Sequence, residues 1–144
     1  MSGMVVGYDG SACSEAALRW TLLEASEHGR AVRVMSVIEP RRVPSMWTAS
    51  VELPPDEAQL ARVGAETEET VGKLAAELGT TDPIDVSLRV GHAGPTLVEA
   101  ATDADCLVVG SHGRGTIERL LLGSVSTFVA THARCPVVVI PSDR

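Results

Sequence analysis

A glycine-rich segment in the last third of the chain has the residue types that a phosphate-binding loop requires. Three glycines and a serine follow the spacing Gly110-x2-Gly113-x9-Gly123-Ser124, directly after the apolar run at positions 106–109. A buried strand that leads into such a loop and then into a helix gathers backbone N–H groups at one point, and these groups bind phosphate. We expect Gly110, Gly113 and Gly115 to adopt positive φ and to let the backbone approach a ligand closely.

The residues after this loop predict the start of a helix. Ser124 occupies the position of an N-cap, so the amides of Ser124, Val125 and Ser126 would point out of the first turn toward a phosphate group. Arg114 supplies a cation within the loop. The competing interpretation is that these glycines only form turns. Two glycine turns, a capping serine and a flanking buried strand favour the phosphate site.

Two common nucleotide-binding motifs are excluded. A P-loop places a lysine directly after its last glycine, whereas the single lysine of this chain, Lys73, lies far from the glycine-rich segment. The turn at positions 7–11 is too short for a dinucleotide-binding fingerprint. Backbone amides, rather than a lysine, must therefore hold any phosphate.

Asp9, at the end of the first predicted strand, is the second candidate for ligand contact. A carboxylate at this point accepts hydrogen bonds from a ribose or an adenine, or holds Mg²⁺ through water. It could equally form an Asx turn or cap the next helix, and these roles are compatible. Because parallel strands end at the same edge of a sheet, Asp9 and the loop after Gly110 should lie together.

Composition and charge narrow the classes of protein. The chain has 144 residues, of which 44% are hydrophobic, and a net charge of −7. One domain with one sizeable core is expected, and the acidic balance argues against nucleic acid as a partner. Three cysteines make a disulfide framework improbable. No signal peptide or membrane span is recognisable, so we expect a cytoplasmic protein with no membrane partner.

Apolar runs and helical periodicity alternate along the chain and predict its elements. Residues 39–55 contain four prolines and predict a mobile surface loop. Glu66, Glu68 and Glu69 are assigned to the outer face of the longest helix. The order predicts one doubly wound sheet of five parallel strands with helices on both faces. Strands are expected at 4–8, 31–38, 84–90, 105–109 and 136–140, and helices at 14–28, 56–78, 95–101 and 124–133.

Along nearly its full length the chain resembles the universal stress protein family. The specific part is the ATP signature G-x2-G-x9-G-[S/T], found here within GSHGRG and LLLGSVS; the segments VVGYDGS, VIEP and CPVVVIP add support. One departure is Pro95, which relatives often place two residues earlier, and it leaves the signature intact. The resemblance implies one universal stress protein domain over residues 1–144. It also implies a Rossmann-like fold, similar to adenine nucleotide alpha hydrolases, with strand order 3-2-1-4-5.

The resemblance further implies an ATP site with Mg²⁺. In such proteins the aspartate after the first strand contacts the adenosine, which implies Asp9, and this side chain is also the candidate for Mg²⁺ through water. A residue near the end of the second strand frames the adenine, which implies Val37. The fourth strand and the loop hold ribose and phosphates. The expected nucleotide-binding residues are Gly7, Tyr8, Asp9, Val37, Val109, Gly110, Gly113, Arg114, Gly123, Ser124, Val125 and Ser126.

The function expected from these residues is that of a nucleotide-dependent stress-response or signalling module. The resemblance implies a homodimer paired through residues 137–140, and the protein partner is left open. A slow ATP hydrolase or phosphoryl-transfer enzyme is the alternative. It is disfavoured because the sequence offers one loop arginine, one aspartate and no evident general base. A nucleotide-free interaction scaffold is disfavoured by the intact loop.

Overall fold

Strands and helices alternate along the chain as its sequence predicts, apart from two additional short strands between the second strand and the second helix. The structure, a computed structural model, describes residues 3–47, 49–113 and 122–142. Its strands are β1 (Met4–Gly7), β2 (Val32–Ile38), β3 (Arg41–Val43), β4 (Val51–Leu53), β5 (Ile84–Val90), β6 (Cys106–Gly110) and β7 (Val137–Ile140). Its helices are α1 (Ala12–His28), α2 (Glu57–Leu78), α3 (Ala93–Ala100) and α4 (Ser124–His132).

Five of the strands form one parallel sheet in the order β5-β2-β1-β6-β7. Counted along these five strands, this is the order 3-2-1-4-5 that the family resemblance implies. The strands β1 and β6 are neighbours, yet the helices that follow them lie on opposite faces of the sheet. Such a switch point opens a crevice at the carboxyl ends of the strands.

The core consists of two apolar layers, one on each face of the sheet. Successive strand residues alternate between the layers, since Val5 packs on one face and Met4 and Val6 pack on the other. One layer contains α1 and α2 and the other contains α3 and α4. The first is built on Met4, Val6, Ala17, Leu18, Leu22, Ala25, Val32, Val34, Val71, Leu74 and Val108, and the second on Val5, Met35, Leu97, Ala101, Leu107, Val109 and Val129.

Side chains and glycines set the ends of the two long helices. Ser11 caps α1 by accepting a hydrogen bond from the amide of Ser14 at 3.2 Å, so this helix begins two residues earlier than the periodicity indicates. Asp56 caps α2 by accepting from the amide of Gln59 at 2.7 Å. Both helices end at a left-handed glycine, Gly29 with φ 63° and Gly79 with φ 67°.

The structure differs from the predicted elements in two further places. Residues 39–55 are not wholly loop, because β3 and β4 form a two-stranded antiparallel hairpin within them. Three-residue strands beside prolines are too short to show a period of two in the sequence. The third helix starts at Ala93 rather than at Pro95, since the Glu39 carboxylate accepts from the Ala93 amide at 3.3 Å.

None of the helices within the described residues is both long and apolar enough to span a bilayer.

Adjacent leucines of α1 provide a test of the core. Leu22 is 1% exposed and Leu23 is 49% exposed. We expect Leu22→Ala to lower the free energy of unfolding by about 2–5 kcal/mol, because it leaves a cavity beneath the sheet. The matched change Leu23→Ala should alter it by no more than about 0.5 kcal/mol. Urea denaturation followed by circular dichroism measures both, and equal losses would contradict the packing described.

Candidate functional site

An open cleft of about 970 Å³ lies at the carboxyl ends of the strands, at the switch point between β1 and β6. It brings together eleven of the twelve residues that the sequence predicts for nucleotide binding. The twelfth, Arg114, lies outside the described residues. Gly115, for which positive φ is also predicted, lies outside them as well. The predicted residues that line the cleft are Gly7, Tyr8, Asp9, Val37, Val109, Gly110, Gly113, Gly123, Ser124, Val125 and Ser126.

The turn after β1 places Asp9 against the loop that follows β6. One carboxylate oxygen, Oδ1, accepts a hydrogen bond from the Ser11 amide at 2.9 Å, which is the Asx turn that the sequence allows. The other, Oδ2, faces Gly113 so closely that a Cβ built on that glycine would lie 2.8 Å away. The two candidate segments therefore meet at the floor of the cleft.

The glycines at the end of β6 are required by close approach rather than by unusual backbone angles. A Cβ added to Gly110 would lie 2.6 Å from Cys13 Cβ and 2.7 Å from the Cys13 carbonyl carbon. Real Cβ atoms do not approach so closely, so the first turn of α1 packs directly on the backbone of β6. The expectation of positive φ at Gly110 and Gly113 is wrong, because neither residue has it.

The first turn of α4 presents backbone amides to the cleft. Its first helical hydrogen bond runs from the Thr127 amide to the Gly123 carbonyl at 3.0 Å. The amides of Ser124, Val125 and Ser126 precede that bond and point out of the first turn. A helix start of this kind attracts an anion through its N–H groups and its dipole.

The N-cap of α4 is Gly123, so the prediction of Ser124 in that role is wrong. The Gly123 amide donates to the Ser111 carbonyl at 2.7 Å and holds Gly123 in the extended cap conformation. Ser124 consequently falls inside the first turn. The hydroxyl of Ser126, 2% exposed, donates to the carbonyls of Ser111 and Gly123 at 2.9 and 3.1 Å. It ties the helix start to the strand end.

A small polar array joins α1 to the residues just after β6. The Ser111 hydroxyl lies 3.6 Å from Cys13 Sγ and 3.0 Å from Nδ1 of His112, which lines the cleft. Burial alone would raise the pKa of the Cys13 thiol, but its hydrogen bonds to Ser111, Ser142 and His112 outweigh burial and lower that pKa. The sequence does not reveal this array, because positions 13 and 111 are far apart along the chain.

The sequence interpretation misses one wall of the cleft, which α2 supplies. This wall carries Arg62 and also Glu66, which the periodicity assigns to the outer face of the helix. Glu66 is exposed to solvent and at the same time faces the cleft. The sequence does contain a signal for this wall. The residues that line the cleft recur at intervals of three and four along the first half of the helix, so they share one face. The residues of α2 that line the cleft are Gln59, Arg62, Val63, Glu66, Thr67 and Thr70.

Comparison with known proteins identifies the family. The model of the universal stress protein family matches residues 2–141. The chain belongs to the universal stress protein family. It is 37% identical over 144 residues to a universal stress protein of Mycolicibacterium smegmatis, covering 98% of this chain and 48% of the relative. It is also 37% identical over 142 residues to the universal stress protein Rv2624c of Mycobacterium tuberculosis, covering 99% and 49%. The chain thus spans about half the length of these curated relatives.

Solved structures of universal stress proteins share this fold. The UspA protein of Lactobacillus plantarum superposes with a TM-score of 0.75 at 20% identity, over 96% of this chain and 97% of that one. A universal stress protein in complex with cAMP has a TM-score of 0.70 at 29% identity, over 96% and 95% of the two chains. The protein from Archaeoglobus fulgidus in complex with dAMP has a TM-score of 0.66 at 22% identity, over 97% and 98%.

Two glycines provide a test of the contact between α1 and β6. We expect Gly110→Ala to lower the free energy of unfolding by about 1–3 kcal/mol, because the new Cβ overlaps the Cys13 backbone. Gly72, on the exposed side of α2, meets nothing within 4 Å. Gly72→Ala should therefore raise the free energy by about 0.5–1 kcal/mol through helix propensity. Urea denaturation measures the free energy of unfolding of both variants. A Gly110→Ala protein as stable as the wild type would contradict the contact.

Proposed function

We propose that the cleft binds an adenine nucleotide, ATP with Mg²⁺, and that the bound nucleotide controls a further interaction of the protein. The observation that carries this proposal is the start of α4. Three successive amides there face the side of the cleft that the backbone of Gly110 and Gly113 and the Asp9 turn also line. Such a cradle suits a phosphate group on an otherwise acidic protein.

The solved relatives support the class of ligand. Universal stress proteins of this fold have been crystallised with cAMP and with dAMP, and the cAMP complex is 29% identical to this chain. Both ligands join an adenine to a sugar and a phosphate. We extend that class to this chain because its glycine signature is complete and its residues converge on one cleft.

The phosphates of ATP would have to be held without lysine. Lys73 lies on the exposed side of α2, where its ammonium pairs with Glu69 at 3.1 Å. The net charge of −7 offers an anion no general attraction. In the proposed complex the amides of α4 and the backbone at Gly110 and Gly113 hold the phosphates, Asp9 contacts the adenosine, and Val37 frames the adenine.

The residues at the cleft fit Mg²⁺ held mainly by the nucleotide. Among the described residues, the group of three side chains close enough to share an ion is Glu24, Glu27 and His28. That group is near the end of α1 far from the cleft. Mg²⁺ commonly takes one or two carboxylates plus phosphate oxygens and water. Asp9 would supply such a carboxylate through a water molecule.

The hairpin beside the cleft is the surface that we propose for the partner. Glu39 lines the cleft at the end of β2, and β3 begins two residues later. Between β3 and β4, the side chains of Met46 and Trp47 are 95% and 91% exposed. A ligand that prefers one arrangement of Glu39 would shift the population of hairpin arrangements and so change what the protein binds. ATP hydrolysis and a nucleotide-free scaffold stay the alternatives, and the cytoplasmic location stays a prediction.

Calorimetric titration of the purified protein with ATP and Mg²⁺ tests the proposal. We expect saturable binding that falls at least tenfold in Gly113→Val, because the new side chain fills the cleft beside the Asp9 carboxylate. Gly72→Ala is the control and should bind like the wild type. Thermal denaturation establishes that each variant is folded. A folded wild-type protein that releases no heat at millimolar ATP would defeat the proposal.

We also propose that two copies of the chain pair through β7. Within the described residues this strand pairs only with β6, and its outer edge carries the uncharged sequence VVVI. An open apolar edge of this kind invites a further strand. The Pro136 carbonyl accepts from the amide of Leu107 in β6, and the Ile140 carbonyl accepts from the amide of Ser111, just after β6. Because a parallel ladder alternates, the amides of Val137 and Val139 therefore face outward.

This alternation allows a substitution that affects only the outer edge. Val139→Pro removes an outward N–H group and leaves the bonds between β6 and β7 in place. We expect the wild type to have the mass of two chains in light scattering after size exclusion, and Val139→Pro to have the mass of one. Val139→Ala keeps the N–H group and should stay dimeric. A monomeric wild type, or a dimeric proline variant, would contradict pairing through β7.

A further inference from the structure

The first half of α2 stands clear of the sheet and forms a wall of the cleft. The buried residues of this helix are Thr67, Val71 and Leu74, and the first of them is the eleventh of its 22 residues. The ten residues before Thr67 are exposed or only partly buried. This half of the helix is held by its cap at Asp56 and by packing further along, so its side chains are free to face a ligand.

A buried pair of hydroxyls holds this wall against the floor of the cleft. The Thr67 hydroxyl lies 3.3 Å from that of Ser36 in β2, and each residue is 3% exposed. The Ser36 hydroxyl also donates to the Tyr8 carbonyl at 3.0 Å. Since Tyr8 directly precedes Asp9, the position of the α2 wall is fixed relative to the predicted adenosine contact.

Arg62 is the cation that this wall presents. The other charged side chains lining the described part of the cleft, apart from His112, are the carboxylates of Asp9, Glu39 and Glu66. Within that part of the chain Arg62 makes no ion pair, although Glu66 follows it by one turn of the helix. Glu69 and Lys73 on the same helix do pair, at 3.1 Å. Glu69 precedes Lys73, whereas Glu66 follows Arg62. An ion pair in which the acid follows the base is the weaker of the two orders on a helix.

The fold places Arg62 on the side of the cleft away from the phosphate cradle. The cradle is built from the end of β6 and the start of α4, whereas α2 packs over β2 and β5. With strands about 4.8 Å apart, the ends of β6 and β2 are separated by two spacings, or about 10 Å. A nucleotide whose phosphate lies at α4 therefore extends its base toward β2 and the α2 wall.

We propose that Arg62 is a binding residue that contacts the nucleobase from α2. A guanidinium group is planar and always charged, so it stacks on an aromatic base or donates to acceptor atoms at its edge. Lysine has neither the plane nor the fork. This inference rests on the proposed nucleotide binding and adds to it a side chain that contacts the base.

Calorimetric titration with ATP, ADP and AMP, each with Mg²⁺, tests the role of Arg62. We expect Arg62→Ala to weaken all three ligands by the same factor, about 2- to 30-fold, because the three share one base. Arg62→Lys should recover little of the loss. Arg134→Ala is the control, since that residue is exposed and precedes β7 at the opposite edge of the sheet. It should bind like the wild type.

The outcomes separate this inference from the proposed function. A wild-type protein that binds none of the three ligands defeats the nucleotide proposal and this one with it. If the wild type and the Arg62→Ala variant bind the nucleotides equally well, the role of Arg62 is overturned and the nucleotide proposal stands. A loss that grows with the number of phosphates also overturns it, because it would assign Arg62 to the phosphate chain. Arg62 is exposed, so these variants should keep the melting temperature of the wild type.

Discussion

The contact between the first turn of α1 and the end of β6 determines the geometry of the cleft. Gly110 has no side chain, and the Cys13 backbone occupies the space that a Cβ would need. This approach brings the Asp9 turn, which precedes α1, against Gly113, which follows β6. A larger residue at position 110 would move the two segments apart. The geometry of the rest of the site therefore depends on the absence of a side chain at Gly110.

The start of α4 shows how a chain rich in valine and poor in lysine can prepare an anion site. Hydrogen bonds from Gly123 and Ser126 to the Ser111 carbonyl attach the helix to the end of β6. The hydroxyl of Ser126 is used for this attachment, so the backbone of the first turn is left for a ligand. Backbone N–H groups that are already fixed lose little conformational entropy when they bind a ligand, whereas a flexible lysine side chain would lose rotamer entropy.

The sequence predicts the sheet well because several of its strands are continuous apolar runs between turn residues. CLVV at 106–109 and VVVI at 137–140 have few other interpretations. Convergence of Asp9 with the glycine signature follows from the parallel order alone. The α2 wall does not follow, because periodicity gives the face of a helix but not how far it extends beyond the sheet. For that reason the sequence places Glu66 on the exposed face, where the structure has it, but not beside the cleft, and it misses the β3–β4 hairpin because those strands are short.

The hydroxyl pair beneath the α2 wall has a consequence for proton positions. Ser36 and Thr67 carry one hydroxyl hydrogen each, yet three contacts are present: to the Tyr8 carbonyl, to the Val63 carbonyl, and between the two oxygens. The Val63 carbonyl already accepts an amide within the helix. The Thr67 hydrogen can therefore turn toward Ser36 without leaving any acceptor empty. Rotation of this single O–H bond forms the hydrogen bond that connects α2 to β2.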